Sequence, residues 1–374
     1  MIPAINTAKK HILNFPGKRF AKKYIVFESD DWGSERIPSL DVLKYLRSSG
    51  FNIHSNPFNY LDSLETGDDL SALFETLIKF KDNKGNHPVI TANSVVANPD
   101  FEKIMASGYQ EYHYESIVDT YRKKKNCENS FSLIREGMSS GIFHPQFHGR
   151  EHLNVQQWLH ALQSGNDLLL KAFNAGIYAI DIKNSLYSRA NFTAAFDRDS
   201  EYEVSLHREI ISEGISLFSK IFGYVPESFI APCYIWYPEL EPILLEKGIK
   251  YIQGLPIQYV PSNNKRYKKK YHYQGEKNKR MQRYFVRNCF FEPALNHGII
   301  SIDEIMKRLK IIFYWGKPAI IGTHRINFIG SLNEDNRKRN LEQLSLLIKK
   351  ILKQYPDAEF TTTDKLGKLY TNNY

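Results

Sequence analysis

Three short apolar runs, far apart in the chain, each end in a polar cluster, and this pattern constrains the fold more than any other feature. Lys23-Tyr24-Ile25-Val26-Phe27 leads into Ser29-Asp30-Asp31-Trp32-Gly33. Gly141-Ile142-Phe143 leads to His144, His148 and His152, and Pro318-Ala319-Ile320-Ile321-Gly322 ends at Thr323-His324-Arg325. Runs this short and this rich in β-branched and aromatic residues read as buried parallel strands rather than helices. Further strands are expected at Pro88–Asn93, Gly176–Ile180 and Lys250–Gln253, and helices over Glu203–Phe222, Pro238–Gly248 and Asp335–Tyr355. Alternation of this kind predicts repeated βα units. Side chains at the carboxyl ends of the strands then face one ligand crevice.

The residue types gathered at those ends point to metal chemistry. His144, His148 and His152 stand at successive spacings of four, and imidazole is the commonest metal ligand. Two histidines and one aspartate leave positions open for water and substrate, the pattern of a catalytic rather than a structural site. Asp30 and Asp31 are neighbours, so one carboxylate can bind a metal while the other takes a proton. Asp-Asp alone also suits a helix cap. His324, at a third strand end, can reach the same cavity.

These clusters resemble the motifs of the polysaccharide deacetylase family, also called the NodB-homology or carbohydrate esterase 4 family. Ser29-Asp30-Asp31-Trp32-Gly33 is similar to its first motif, Thr-Phe-Asp-Asp-Gly, with Trp before the Gly. That likeness implies Asp30 as base and Asp31 as metal ligand. His148 to His152 has the spacing of the second motif, His-Ser/Thr-x-x-His, which implies two further ligands; His144 to His148 has equal spacing, so His144 is the alternative. The later pair is preferred because a helix reads as starting just after it. The third motif, Arg-x-Pro-Tyr, is partly present in Ile230-Ala231-Pro232-Cys233-Tyr234, without its Arg. Arg325 could supply that charge from another strand. The fourth motif is absent, with Arg287-Asn288 and Glu292 as possible replacements, and Gly322-Thr323-His324 resembles the fifth.

The resemblance implies a distorted (β/α) barrel over residues 22–374, preceded by a basic extension at 1–21. It implies hydrolysis of an N- or O-acetylated sugar, with zinc the expected divalent ion. Asp30 would be the base, His324 the acid, and a backbone N–H near Cys233 or Tyr234 the oxyanion donor.

Composition bounds this reading. A chain of 374 residues, 42% hydrophobic, can bury a sizeable core, and its 13% aromatic content suits either a sugar cleft or plain packing. Cys127, Cys233 and Cys289 are odd in number and widely spaced, against a disulfide framework or a cysteine zinc site. The amino terminus lacks the apolar core of a signal peptide, so a cytoplasmic location is expected. Residues 11–23 mix cations with apolar residues; a plain solvated helix is the expectation, with an anionic membrane surface as the alternative.

The net charge of +9 is concentrated in a basic insertion near 262–288, where ten Lys or Arg residues between Asn264 and Asn288 face the single Glu276. A solvated loop is the plain expectation. An acidic or phosphate-linked glycan is the favoured partner otherwise, ahead of nucleic acid. Two rival functions remain open. His148-Gly149-Arg150-Glu151-His152 fits the His-x-x-Glu-His pattern of inverzincin metalloproteases, with Glu151 as base. The missing motif Arg would also suit a catalytically inactive glycan-binding module.

Overall fold

A computed structural model describes residues 7–182, 189, 191–262 and 266–371. Residues 1–6 of the basic extension and 263–265 of the basic insertion lie outside the described residues. Thirteen strands are present among those described: β1 (Lys23–Trp32), β2 (Ile90–Ser94), β3 (Ala97–Pro99), β4 (Tyr114–Ser116), β5 (Phe143–Phe147), β6 (Ser228–Ile230), β7 (Tyr251–Gly254), β8 (Ile257–Ser262), β9 (Arg266–Tyr271), β10 (Arg283–Val286), β11 (Cys289–Phe290), β12 (Ala319–His324) and β13 (Ala358–Phe360).

Nine of these form one parallel sheet in the order β10-β7-β6-β5-β2-β1-β12-β11, with β13 added beside β1. The two ends of this order, β10 and β11, are joined by Arg287 and Asn288 alone. The sheet must therefore curl round on itself. Arg287 N–H donates to Gly254 O at the end of β7, and Asn288 N–H donates to Ile320 O in β12, so these two residues stitch the seam. The architecture is α/β, a distorted barrel wrapped by helices.

The interior of the barrel follows from the two-residue period of its strands. In β1, Ile25 and Phe27 point outward into the main core beneath the helices. Tyr24 and Val26 point inward, where they meet Ile320, Phe285 and Tyr251, with Leu366 and Tyr370 of the helix Thr363–Thr371 closing that end. The next inward positions, Glu28 and Asp30, are carboxylates. One end of the interior is thus an apolar plug and the other is polar.

The long helices match their patterns. Glu203–Phe222 stops at Gly223, whose φ of 82° suits glycine, and Glu334–Gln354 buries Leu341, Leu344, Leu347, Ile348 and Ile351. Pro238–Gly248 shortens to a 3₁₀ turn and the helix Glu241–Glu246. Gly176–Ile180 is not a strand; it is a buried irregular segment, because β5 and β6 already pair with each other and leave it no sheet edge. Within the basic segment, expected as a loop, Arg266–Tyr271 forms β9, paired antiparallel with β8 just before the segment, and Arg283–Val286 forms β10 of the main sheet. The amino-terminal helix Thr7–Asn14 packs beside the helix Ile302–Tyr314, and Phe20 meets Tyr24 and Tyr370 edge-on. No helix among the described residues is long and apolar enough to cross a membrane.

Candidate metal centre and hydrolytic site

Consecutive residues of a regular strand point to opposite faces, so Asp30 and Asp31 could not both enter the barrel mouth from an ideal β1. The register of β1 against β2 shifts between Ser29 and Trp32, and Asp31 adopts φ 76°. This bulge re-aims the Asp31 side chain. Both carboxylates consequently line one cavity of about 300 Å³. Trp32, next in sequence, is buried in the core against Phe143 and Phe328.

Asp31 meets two imidazoles there. His148 follows the last residue of β5, and His152 lies four residues on, in an irregular turn that precedes the helix Val155–Gln163. His148 Nε2 is 3.3 Å and His152 Nε2 3.1 Å from Asp31 Oδ1. One ligand atom from each of the three residues lies within 4.8 Å of the others. The Nδ1–H of His148 donates to Ile230 O at 2.9 Å. A neutral His148 therefore turns a lone pair, not a proton, toward an Asp31 oxygen that is itself an acceptor. His152 is kept neutral by burial, which outweighs Asp31 and brings its pKa down to about 4. Burial works against the charge of Asp31 too, yet its polar surroundings, the Arg36 guanidinium among them, hold its pKa well below the usual carboxylate range. Acceptor atoms converging on one point are satisfied by a cation, and two nitrogens with one carboxylate oxygen are a donor set for a catalytic divalent ion.

Asp30 stands beside this group. Arg287 donates to it through both terminal nitrogens, Nη1 to Oδ2 at 2.7 Å and Nη2 to Oδ1 at 2.6 Å, and through Nε to Glu28 Oε2 at 2.8 Å. Asn93 Nδ2 donates to Asp30 Oδ1 at 2.8 Å. Burial opposes ionisation of Asp30, but Arg287 overcomes it and the pKa is lowered. Gly322 makes room for this guanidinium, since a Cβ there would lie 2.6 Å from Arg287 Cδ.

His324 arrives from β12, where it is the registered partner of Asp30, and its Nε2 lies 3.7 Å from Asp30 Oδ2. Its Nδ1 contacts Glu292 Oε1 at 2.6 Å. Burial would lower the pKa of His324, but Glu292 and the aspartates outweigh it and raise it to about 10. His324 is therefore an imidazolium at neutral pH, with Phe58 edge-on to its ring.

Other expected placements differ. Arg325 does not approach Asp30: as the residue after inward-facing His324, it points out of the barrel and pairs with Asp62 at 3.1 Å and Glu65 at 2.7 Å. The charge partner of Asp30 is instead Arg287, named from the sequence as a possible replacement for the absent fourth motif and also one of the ten cations of the basic segment. His144 points away from the cavity, 3.2 Å from Asp364 and stacked on Tyr224. Tyr234 stands near Asp30, its hydroxyl 3.1 Å from Arg287 Nη1, but its backbone N–H already donates to Ala231 O at 2.9 Å. Glu151 accepts from Arg150 at 2.6 and 3.0 Å and does not line the cavity, and no helix carries His148 and His152. Arg36, Arg189, Asn191 and Thr193 also line the cavity. No motif marked them, because they come from irregular segments.

No protein-family model and no curated protein sequence matches the chain. Among solved structures, a putative polysaccharide deacetylase from Mycobacterium smegmatis aligns with 95% of this chain and 94% of its own, at 13% identity and a TM-score of 0.45. A probable polysaccharide deacetylase from Pseudomonas aeruginosa PAO1 aligns over 92% and 89%, at 10% identity and a TM-score of 0.43. A 4-alpha-glucanotransferase from Thermococcus litoralis aligns over 96% of this chain at 10% identity and a TM-score of 0.45, and the chain spans 41% of that protein's length.

Proposed function

We propose that this chain is a metal-dependent hydrolase that removes an acetyl group from an N- or O-acetylated sugar. The observation that carries the reading is the convergence of Asp31, His148 and His152 beside Asp30, which Arg287 grips through both carboxylate oxygens, and opposite His324. The sugar part rests on the sequence likeness at 29–33, 148–152 and 322–324. A cavity of about 300 Å³ suits a single acylated unit.

In this reading Asp31, His148 and His152 hold a divalent ion, zinc by the balance of nitrogen and oxygen donors. When bound, such an ion polarises an acyl carbonyl and makes a water molecule a stronger nucleophile. Asp30 takes the proton of the attacking water, and Arg287 keeps it ionised and fixes its orientation. The Cys233 amide, at the same turn as the engaged Tyr234 amide, serves as oxyanion donor. His324 gives its Nε2 proton to the departing amine or alcohol, and Glu292 holds the ring from behind.

Acetate release from a panel of N- and O-acetylated sugars, with zinc and with chelator, tests the proposal. The expected result is hydrolysis that chelator abolishes and zinc restores. Peptide cleavage lost on Glu151→Gln would support the metalloprotease instead. Metal binding and sugar binding without hydrolysis of any substrate would identify a binding module.

A further inference from the structure

We infer that Arg189 receives a compact oxyanion, a carboxylate or phosphate carried by the substrate, in the wall of the cavity that also holds Asp31, His148 and His152. This rests on the cavity being the substrate site, and it adds a charge requirement that the acetyl chemistry does not impose.

Two arginines beside Asp30 and Asp31, and one behind them outside the barrel, are each matched by carboxylates. Arg287 has Asp30 and Glu28, Arg325 has Asp62 and Glu65, and Arg36 lies 3.5 Å from Asp31 and 3.6 Å from Asp62. Arg189 is different. It donates from Nη2 to the sulfur of Cys233 at 3.4 Å, a weak acceptor, and its Nε is buried with no partner. The carboxylates that act on it through space, Asp181 and Asp197, are engaged elsewhere: Asp181 accepts from Asn191, and Asp197 from Tyr267 and from the Arg198 amide at 2.9 Å. A guanidinium fork left with unused donors inside a cleft is suited to a planar carboxylate or a phosphate.

The wall beside the fork, which includes the Cys233 sulfur it touches, is held by further contacts. Thr193 Oγ1 donates to Asn191 Oδ1 at 2.6 Å and lies 3.3 Å from Cys233 Sγ, so Asn191 and Thr193 are tied to the turn after β6. Asp30 and Asp31 do not compensate Arg189, being already matched by Arg287, Arg36 and the imidazoles. A divalent cation in the cavity would make its charge more positive still, and a positive cleft with low-dielectric walls concentrates anions.

Isothermal calorimetry on the full-length, zinc-loaded protein tests this without relying on turnover. The probes are N-acetylglucosaminuronate, N-acetylglucosamine 1-phosphate and neutral N-acetylglucosamine. Wild type should bind at least one charged probe more tightly than the neutral sugar. Arg189→Gln should weaken that charged probe roughly 10- to 100-fold more than the neutral one, the range for hydrogen bonds to a charged group, and Arg189→Lys should recover part of the loss. Unchanged zinc content and melting temperature show that the variants are folded. Equal losses for charged and neutral probes, no loss for either, or no binding of both charged probes by wild type would overturn the inference. Charge-selective binding dependent on Arg189, without acetate release from any probe, would sink the deacetylase reading and leave this one standing.

Discussion

The two ends of the barrel interior are built from the same strands by opposite means. At the end where β1 begins, Val26, Ile320, Phe285 and Leu366 fill the space with apolar side chains. Two residues further along the same inward column, Glu28 and Asp30 bring two buried carboxylates, which Arg287 answers with three hydrogen bonds. Apolar filling stabilises in proportion to the area it buries, at about 25 cal/mol per Å². A buried ion network is held only by complete pairing, because desolvation offsets much of the Coulombic attraction. The apolar end is therefore expected to supply stability, and the charged end to fix the position and charge of Asp30.

The strongest way to break this contrast is at the charged end. Asp30→Asn should keep one zinc per chain by elemental analysis yet lose about 10²- to 10⁴-fold in rate, the range of a general base, with a fall in melting temperature smaller than that of Arg287→Ala because Glu28 still faces Arg287. His148→Ala should lose the zinc itself. Retention of zinc in His148→Ala would refute the ligand assignment, and equal zinc loss in Asp30→Asn would refute the division between the two aspartates.

Arg287→Ala is the next test, because it leaves Asp30 and Glu28 buried without their partner. Denaturant melts should show a loss of about 3–5 kcal/mol. Removing the charges together, as Arg287→Met with Glu28→Gln and Asp30→Asn, should return much of that stability while the protein stays inactive. If the triple variant is no more stable than Arg287→Ala, the network contributes more to the fold than pairing alone explains.

Leu366→Ala probes the apolar end. It should cost about 2–5 kcal/mol while zinc content and kcat are maintained at temperatures where the protein stays folded. A fall in kcat comparable to that of Asp30→Asn would mean that the two ends are not separable.

The smallest effect concerns pH. Because His324 is held protonated up to about 10, kcat/KM should fall on the alkaline side only as pH rises through that value. Glu292→Gln removes the largest of the charges that raise the pKa and leaves burial opposed only by the aspartates, so the alkaline limb should move toward neutral pH. An unmoved limb would show that another group supplies the proton.

Much of this was legible in the sequence wherever chemistry and local periodicity coincide. The strands ending at Asp30, His148 and His324, and the helices Glu203–Phe222 and Glu334–Gln354, are visible because a short apolar run or a 3.6-residue stripe is a local property. Which polar neighbour enters the cavity is not local. The alternation of β12 sends His324 inward and Arg325 outward, whereas the bulge in β1 cancels that alternation and brings in both Asp30 and Asp31. Arg287 stood in the sequence as a possible replacement for the absent fourth motif, and what buries it against Asp30 is the two-residue seam joining the first and last strands of the sheet. The sequence by itself determined the repeated strand pattern and the kinds of ligand, base and acid available. The tertiary structure decided which arginine serves Asp30, which histidine lies away from the cavity and which guanidinium lacks a carboxylate partner. Those outcomes depend on strand register and ring closure, which are set by contacts between residues hundreds of positions apart.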